Sequence, residues 1–518
     1  MDGKLYPVGI QNFEKIRRGG YCYIDKTALV YQLVKTGSYY FLSRPRRFGK
    51  SLLVSTLEAY FQGKKELFKG LAMEGLEKEW KQYPILHLDL NTQKYETEES
   101  LESVLNENLA VWEALYGRNE NEIGPARRFA GVIRRAHEKT GERVVILVDE
   151  YDKPMLQAIG DQGRQDSFRS TLKAFYGALK SEDGHIKFAL LTGVTKFGKV
   201  SVFSDLNNLE DISMSRVYES VCGITEDELH SELAGDVVAL AESGGISQEA
   251  AYHKLKEWYD GYHFTRNGMD IYNPFSVLNT LKRRDFGSYW FETGTPTFLV
   301  ELLKKSRYNL HRLTDEVAMS DSLMGIDSMG NNPVPYLYQS GYLTIKGYNP
   351  EFRVYELGFP NKEVEEGFTK FLLPCYAHLD SGNSAFEVMN FVQDVRGGNV
   401  DGFMKRLQSF FADTPYELAR ELELHYQNVL FIVFKLMGFY TQVEYHTSQG
   451  RVDLVLQTEK YIYVMEFKLE GTSDEALRQI EEKNYALPFA SDPRKVYKIG
   501  VNFSNEIRGI EGWKVANG

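Results

Sequence analysis

Two carboxylates and one ammonium group stand close together in the last quarter of the chain. Asp453 lies in one apolar segment, and Glu466 and Lys468 lie in the next. Because side chains alternate between the faces of a strand, Glu466 and Lys468 are predicted to share one face, which Asp453 can reach from the partner strand. Asp453 and Glu466 would hold Mg²⁺, and Lys468 would orient or help to deprotonate a water. Hydrolysis of a phosphodiester needs this set of groups.

Two flanking helices supply further polar residues. Glu423, with Glu421 as the alternative, opens the predicted helix before Gly438, and Gln479 lies on the helix after the second strand. The Asp…Glu-x-Lys arrangement resembles the PD-(D/E)XK nuclease superfamily. The resemblance implies an assisting glutamate, for which we favour Glu423, and a glutamine, Gln479, that contacts the phosphate or the water shell. The proline of that motif is replaced here by Arg451 or Val452.

A second set of residues fits phosphate binding. Residues 44–51 read Arg-Pro-Arg-Arg-Phe-Gly-Lys-Ser, between an apolar segment and a predicted helix that begins at Leu52. In a Walker A loop, Gly49 allows close approach of the backbone, Lys50 reaches the β- and γ-phosphates, and Ser51 is a ligand of Mg²⁺. Arg46 and Arg47 belong to the same loop and are predicted nucleotide contacts. Arg44 departs from the pattern, because glycine usually stands there.

Acidic residues follow another apolar strand, as in a Walker B motif. The segment Val144–Val148 is followed by Asp149 and Glu150. Asp149 is predicted to bind Mg²⁺, and Glu150 to orient the attacking water. In additional-strand P-loop ATPases, the position of Thr192, near the end of the segment Phe188–Gly193, usually carries a polar sensor of the γ-phosphate. ATP and Mg²⁺ are therefore the predicted cofactors.

Several separate blocks resemble one bacterial family, the AAA-ATPase-like proteins. These blocks are Tyr6–Gly9, Tyr23–Thr27, Arg44–Ser51, Leu147–Asp152 and Leu191–Phe197. The first Walker A glycine is typically absent from that family too. The resemblance also implies that Asp25 and Lys26 lie near the nucleotide, and that a nuclease module follows the ATPase.

The elements that position these residues predict an α/β protein. Residues 38–225 alternate buried strands with helices, which predicts a mostly parallel sheet. Together with the Walker motifs and the family resemblance, this pattern makes residues 1–225 a predicted P-loop NTPase domain of the additional-strand type. Residues 226–380 are predicted to form a helical lid, with long polar helices at Glu226–Ser243 and Gln248–Asp260, and a small mixed domain. Residues 381–518 are predicted to form a restriction-endonuclease-like α/β domain, after a linker at 380–383.

Composition limits the function classes. The chain of 518 residues has a net charge of −11, which argues against extensive wrapping of DNA, although a local basic groove is compatible with it. The three cysteines are far apart, and neither a signal peptide nor a membrane span is visible, so a cytoplasmic protein is predicted. Nucleic acid is the predicted partner, DNA ahead of RNA, and a homo-oligomer is compatible with the sequence.

These patterns together predict an ATPase joined to a Mg²⁺-dependent DNA nuclease that nucleotide gates. The alternative is a nucleotide-dependent switch, in which the nuclease-like domain binds nucleic acid or a protein partner without cleavage.

Overall fold

The computed structural model describes most of the chain, which divides into two units. The described residues are 4–197, 206, 208–293, 297–323, 325, 332–377, 384–411, 422–438, 442–448, 451–469, 471–504 and 506–517. Unit 1 comprises Met1–Gly294 and Asp315–Glu363, and unit 2 comprises Thr295–Thr314 and Val364–Gly518. Each unit is thus built from two separate stretches of chain.

Helices make up much of both units. The described α-helices are, in chain order, α1 (Phe13–Arg18), α2 (Thr27–Thr36), α3 (Lys50–Phe61), α4 (Ala72–Leu76), α5 (Glu99–Tyr116), α6 (Pro125–Thr140), α7 (Lys153–Gln157), α8 (Gln162–Tyr176), α9 (Ala178–Ser181), α10 (Glu226–Glu232), α11 (Ala234–Gly244), α12 (Gln248–Tyr259), α13 (Pro274–Arg283), α14 (Thr297–Lys305), α15 (Ser320–Leu323), α16 (Val334–Gln339), α17 (Lys362–Tyr376), α18 (Ser384–Gly397), α19 (Val400–Ser409), α20 (Leu422–Gly438) and α21 (Ser473–Glu482). Short 3₁₀ turns lie at Lys65–Phe68, Asp183–His185, Arg216–Tyr218, Phe291–Thr293, Leu310–Thr314 and Leu487–Phe489. Within these described helices, none is long and apolar enough to cross a membrane.

Unit 1 is organised around a parallel five-stranded sheet. Its strands are β1 (Tyr39–Ser43), β2 (Ile85–Asp89), β3 (Val144–Asp149), β4 (Ile186–Gly193) and β5 (Glu210–Asp211), in the order β2-β3-β4-β1-β5. All six residues of β3 are buried, as expected for a parallel strand covered on both faces. Because β4 lies between β1 and β3, the sheet has the predicted additional-strand arrangement.

The lid region is helical, and it differs in detail from the prediction. The pattern over 226–243 predicted one helix, but the structure has two, α10 and α11, which meet at Leu233. Thr225 begins α10 with a capping box that includes Glu228. Helices α10–α13 bury a core of their own, against which Tyr6 packs. Unit 1 also holds a three-stranded antiparallel sheet. Its strands are β6 (Glu316–Met319), β7 (Thr344–Asn349) and β8 (Val354–Gly358), in the order β6-β8-β7.

Unit 2 contains a mixed five-stranded sheet with both faces covered. Its strands are β9 (Gln442–Ser448), β10 (Arg451–Gln457), β11 (Tyr461–Lys468), β12 (Lys495–Ser504) and β13 (Gly509–Asn517), in the order β13-β12-β11-β10-β9. Only β11 and β12 pair in parallel among these described strands. Ile462 and Val464 of β11 pack with Ile480 of α21, whereas the Phe467 ring lies 5.9 Å from Phe434 of α20.

The units are divided differently from the three predicted segments. The chain passes between units after Gly294, Thr314 and Glu363. The boundary at 225/226 remains a prediction, because a compact unit can contain both a domain and its lid. The predicted linker at 380–383 and the boundary within it lie outside the described residues. The predicted elements of unit 2 omitted β13, which pairs with β12.

Candidate functional site

A cleft lies beside the loop that connects β1 to α3. It encloses about 510 Å³ and is lined by residues 7–11, 22–24, 46–53, 221–224 and 274–275, among others. Glu150, which follows β3, and Asn91, which follows β2, also line it. Since these positions follow the carboxyl ends of parallel strands, the cleft occupies the edge of the sheet where α/β proteins bind ligands.

Backbone conformation at Gly49 explains why glycine stands before α3. Gly49 has a φ of 101° and precedes the first helical residue, Lys50. A Cβ added at Gly49 would meet no heavy atom within 4 Å, so the requirement is the left-handed conformation and not space. Arg47 also has a positive φ, 66°, and the loop therefore turns sharply twice. The free N–H groups at the start of α3 are suited to a phosphate.

Lys50 is buried, with 4% of its surface exposed, and is held by the loop itself. Its Nζ donates to the carbonyl oxygens of Arg44, at 3.0 Å, and Pro45, at 3.2 Å. The same Nζ lies 3.8 Å from Oε1 of Glu150. Lys50 and Glu150, predicted to serve the phosphates and the attacking water, are thus brought together, and Ser51, Arg46 and Arg47 line the same cleft.

Arg44, which stands where a Walker A loop usually has glycine, is buried and contacts a distant segment of the chain. Its guanidinium donates to the carbonyl oxygens of Ser213, at 2.8 Å, and Tyr218, at 3.3 Å, and lies 4.1 Å from the centre of the Phe264 ring. Only 1% of Arg44 is exposed, and burial lowers the pKa of its guanidinium. Arg44 lines a small separate recess with Ser213. The side chain therefore ties segment 213–219 to the loop.

The two predicted residues at the ends of β3 and β4 contact each other. The Thr192 hydroxyl donates to Oδ1 of Asp149 at 2.5 Å, and the same oxygen accepts the backbone N–H of Glu150 at 3.1 Å. Asp149 is almost fully buried. Glu150 has a φ of 55°, so the chain turns abruptly after β3. Asp149 and Ser51 provide the hard oxygen donors that Mg²⁺ prefers.

Asp152 is a structural member of the site whose role was missed. Its Oδ2 accepts the backbone N–H of Val194 at 3.1 Å and both the N–H and the hydroxyl of Thr195, at 2.6 and 2.7 Å. Burial, followed by the charge of Glu150, raises the pKa of the Asp152 carboxyl to about 6. The Tyr151 hydroxyl donates to the Thr195 carbonyl at 2.9 Å. The block 149–152 thus fixes the segment after β4, a long-range contact that spacing alone does not reveal.

Asp25 and Lys26, implied to lie near the nucleotide, have different surroundings. Asp25 accepts the backbone N–H groups of Thr27, at 2.8 Å, and Ala72, at 2.7 Å, and so fixes the starts of α2 and α4. Lys26 lines the cleft, and its Nζ lies 2.5 Å from Oε1 of Glu228 in α10.

The C-terminal candidate residues converge at the end of β11. Glu466 is fully buried, and its Oε1 lies 3.4 Å from Nζ of Lys468. Lys468 Nζ also donates to the side-chain oxygen of Gln479 in α21. The structure therefore brings Glu466, Lys468 and Gln479 together on the face of the sheet that α21 covers.

The other carboxylates predicted for this site are Asp453 and Glu423, with Glu421 as the alternative to Glu423. The register of β10 and β11 sets Asp453 opposite Glu466, but the Asp453 side chain lies outside the described part of the structure, as does Glu421. Glu423 is exposed in the first turn of α20 and accepts from Gln427 at 3.3 Å. Among the described contacts, Glu423 has none with Glu466 or Lys468. The described side chains alone include no cluster of three or more His, Cys, Asp or Glu residues that could hold a metal.

A glycine in β12 lets α21 come close to the site. Gly500 pairs in register with Glu466. A Cβ at Gly500 would lie 2.3 Å from the carbonyl oxygen of Ser473 and 2.5 Å from the backbone nitrogen of Leu477. The first turn of α21 thus rests on the strand backbone, which brings Gln479 to Lys468. An isolated glycine within a predicted strand was the signal that could have indicated this contact.

The order of the parallel strands, the loop before α3 and the acids after β3 define an additional-strand P-loop NTPase, and unit 2 carries a separate nuclease-like sheet. A family model described as "Predicted AAA-ATPase" matches residues 7–203, and one described as "PD-(D/E)XK nuclease superfamily" matches residues 421–513. An "Uncharacterized protein in vnfD 5'region" from Azotobacter chroococcum mcd 1 is 36% identical over 530 residues, with 99% of each chain covered. The chain belongs to this family of predicted AAA-ATPases with a C-terminal PD-(D/E)XK nuclease superfamily domain.

Proposed function

We propose that the protein is an ATPase whose nucleotide state controls a Mg²⁺-dependent DNA nuclease. The observation that carries the nuclease part is the position of Lys468, whose ammonium group lies 3.4 Å from the buried Glu466 carboxylate and donates to Gln479. A buried acid beside a lysine, opposite Asp453 in register, is the set that phosphodiester hydrolysis requires.

Each residue of the nuclease site has a distinct proposed role. A divalent cation held by Asp453 and Glu466 would neutralise phosphate charge and acidify a water. Lys468 orients that water and stabilises negative charge on the scissile phosphate. Gln479 holds the ammonium group of Lys468 in place, and the packing of α21 against Gly500 keeps Gln479 at that distance. Glu423 is proposed as an assisting acid.

The nucleotide site is proposed to bind ATP with Mg²⁺. Lys50, Arg46 and Arg47 contact the phosphates, with Gly49 shaping the loop, and Ser51 and Asp149 provide the oxygen donors for the cation. Glu150 orients the attacking water, and Thr192 links Asp149 to the end of β4. The hydrogen bond from Thr192 to Asp149 and the short approach of Lys50 to Glu150 support these roles.

The chain connects the nucleotide cleft to the start of unit 2, and this connection is the proposed route by which nucleotide controls the nuclease site. The indole N–H of Trp290 donates to the carbonyl of Arg46 at 2.9 Å, and Thr293 lines the nucleotide cleft. The chain passes into unit 2 directly afterwards, between Gly294 and Thr295. A change in the loop that carries Arg46 therefore acts on the point where the chain leaves unit 1.

Cleavage of DNA tests the proposal. Wild type with Mg²⁺ should degrade DNA, and Lys468→Ala should reduce the rate at least about 100-fold, because it removes a charge-stabilising donor. Lys460→Ala, at the exposed tip of the turn between β10 and β11, is the control and should retain activity. RNA of the same sequence is predicted to be a poorer substrate.

The nucleotide dependence has its own readout. Lys50→Ala should weaken ATP binding and remove the effect of ATP on cleavage, while it leaves Asp453, Glu466 and Lys468 untouched. Equal cleavage by wild type and Lys468→Ala would refute the assigned nuclease site. ATP binding with no cleavage under any condition would favour a switch that binds nucleic acid or a protein without cutting it.

The state of the cysteines supports a cytoplasmic location for the protein. Cys22, Cys222 and Cys375 are all free, which fits a reducing cytoplasm. A homo-oligomer is compatible with the proposal, and measurement of molar mass with and without ATP would establish the oligomeric state.

A further inference from the structure

The nucleotide cleft has two chemically different ends. Val8, Ile10, Ile224 and Phe275 provide apolar surface on the side of the N-terminal segment and the lid. Asn91, Glu150 and Lys153 provide polar groups on the side where β2 and β3 end. An aromatic base is favoured by the first end, and the terminal phosphate by the second, where Oε1 of Glu150 lies 3.8 Å from Nζ of Lys50.

Lys153 is anchored by its backbone at the polar end. Its N–H donates to the carbonyl of Glu150 at 3.0 Å, and it is the first residue of α7. The position of its Cα is therefore fixed relative to the residue proposed to orient the attacking water. The side chain is flexible beyond that point, since four methylene groups separate Cα from the ammonium.

The ammonium group of Lys153 has a neutral partner. It donates to the side-chain oxygen of Asn91, the second residue after β2, and the Asn91 backbone N–H in turn donates to Oδ1 of Asp89 at 2.8 Å. A phosphate oxygen is a stronger acceptor for an ammonium group than an amide oxygen, because the bond is between opposite charges. The bond to Asn91 is thus one that a bound triphosphate can replace.

The other cations of the cleft have different surroundings. Lys26 is paired with the carboxylate of Glu228 at 2.5 Å. The guanidinium of Arg47, already proposed to contact the phosphates, lies 5.1 Å from the centre of the Phe275 ring. Lys50 approaches from the side of the loop. Among the described cations of the cleft, Lys153 combines a backbone bond to Glu150 with an ammonium group whose printed acceptor is a neutral side chain that a phosphate oxygen can replace.

We propose that Lys153 contacts the terminal phosphate of bound ATP and stabilises the charge that develops there during hydrolysis, and that Asn91 positions it. This inference rests on the proposed ATPase function and adds a residue to it. Phosphoryl transfer depends largely on such electrostatic stabilisation, because charge is spread over the oxygens of the transferred group. The same cation distinguishes ATP from ADP, since ADP lacks the phosphate that it contacts.

Binding and turnover by the chain of 518 residues test the assignment. Lys153→Ala should weaken binding of a non-hydrolysable ATP analogue about tenfold or more, the loss expected for one charge-assisted hydrogen bond, while ADP affinity stays within about twofold. The ATPase kcat should fall by at least about tenfold, and Lys153→Arg should restore part of it. Asn91→Ala should lower kcat less than Lys153→Ala, and in the double variant the two losses should not add.

A matched control separates this effect from general loss of charge. Lys94 lies three positions beyond Asn91, and its side chain is 81% exposed and pairs with Glu96. The Lys94→Ala variant should therefore behave as wild type. If Lys153→Ala retains the wild-type ratio of ATP-analogue to ADP affinity, or loses both affinities equally, the inference is overturned. A wild type that binds neither nucleotide overturns the proposed ATPase function itself, and the two failures are therefore distinguishable.

Discussion

At the residue scale, Asp152 and Arg44 hold segments around the nucleotide cleft through partners that lie far away in the sequence. Lys50, Glu150 and Lys468 were assigned from short motifs, because those motifs describe residues close in sequence. Asp152 and Arg44 act through backbone groups 43 and 169 residues away. No local pattern encodes such partners. Arg44 in particular was noted only as a missing glycine, and its burial against Ser213 and Phe264 gives the replacement a reason.

The contribution of Arg44 to the free energy of unfolding of unit 1 can be measured. Arg44→Ala should destabilise unit 1 by about 2–4 kcal/mol, because it leaves the carbonyls of Ser213 and Tyr218 buried without their donor and removes packing against Phe264. Thermal unfolding is the measurement. Arg46→Ala, an exposed neighbour, should change stability by less than about 0.5 kcal/mol. Equal stability of the two variants would show that the buried guanidinium contributes no net stabilisation.

At the element scale, short runs of apolar residues predicted most strands correctly. Strands were expected at Tyr39–Leu42, Pro84–Leu90, Val144–Val148 and Phe188–Gly193, and at Gln442–His446, Val452–Leu456, Tyr461–Lys468 and Lys495–Phe503. These segments lie near the observed bounds of β1 to β4 and β9 to β12, because burial leaves a strong hydrophobic pattern. β13 was missed, since its sequence Gly-Ile-Glu-Gly-Trp-Lys-Val-Ala-Asn has exposed and half-buried positions on an edge strand. The single helix predicted over 226–243 was wrong because Leu233 provides no local break that composition reveals.

The contact between α21 and β12 gives a prediction at this scale. Gly500→Val should destabilise unit 2 by about 2–4 kcal/mol, because the new Cβ would collide with backbone atoms of Ser473 and Leu477, which cannot rotate away. The displacement should separate Gln479 from Lys468 and abolish DNA cleavage. Gly512→Ala is the control, because its added Cβ would meet its nearest neighbour, Asn502, at 3.7 Å. Full cleavage by Gly500→Val would mean that α21 does not position the site.

At the scale of the whole molecule, the interleaving of the two units was beyond sequence reasoning. Composition and motifs give segments in chain order, whereas unit 2 includes Thr295–Thr314 from within unit 1. That stretch is bound by polar contacts: the backbone N–H of Leu310 donates to Asn428 at 2.9 Å, and Asn428 donates to the carbonyl of Tyr308 at 3.1 Å. Leu310 itself is fully buried.

Fragments of the chain test this division. The fragment 381–518 lacks Leu310 and Tyr308, the backbone partners of the Asn428 side chain. We expect this fragment to unfold without a cooperative transition, because the side-chain amide of Asn428 would be left buried and unsatisfied. A fragment that joins 295–314 to 364–518 through a flexible linker should regain cooperative unfolding, measured by circular dichroism on heating. Identical cooperative melting of both fragments would contradict the proposed dependence.

The three passages of the chain between units also set an order of events during synthesis. Thr295–Thr314 leaves the ribosome 118 residues ahead of its partner Asn428, counted from Leu310. At about 5–20 residues per second, this segment waits roughly 6–24 s with Leu310 and Leu313 exposed. Meanwhile unit 1 cannot be completed until Glu363 has emerged. During this interval the apolar segment can form wrong contacts with the emerging part of unit 1. We therefore expect that either a chaperone covers the segment or unit 1 folds slowly enough to leave it free for unit 2.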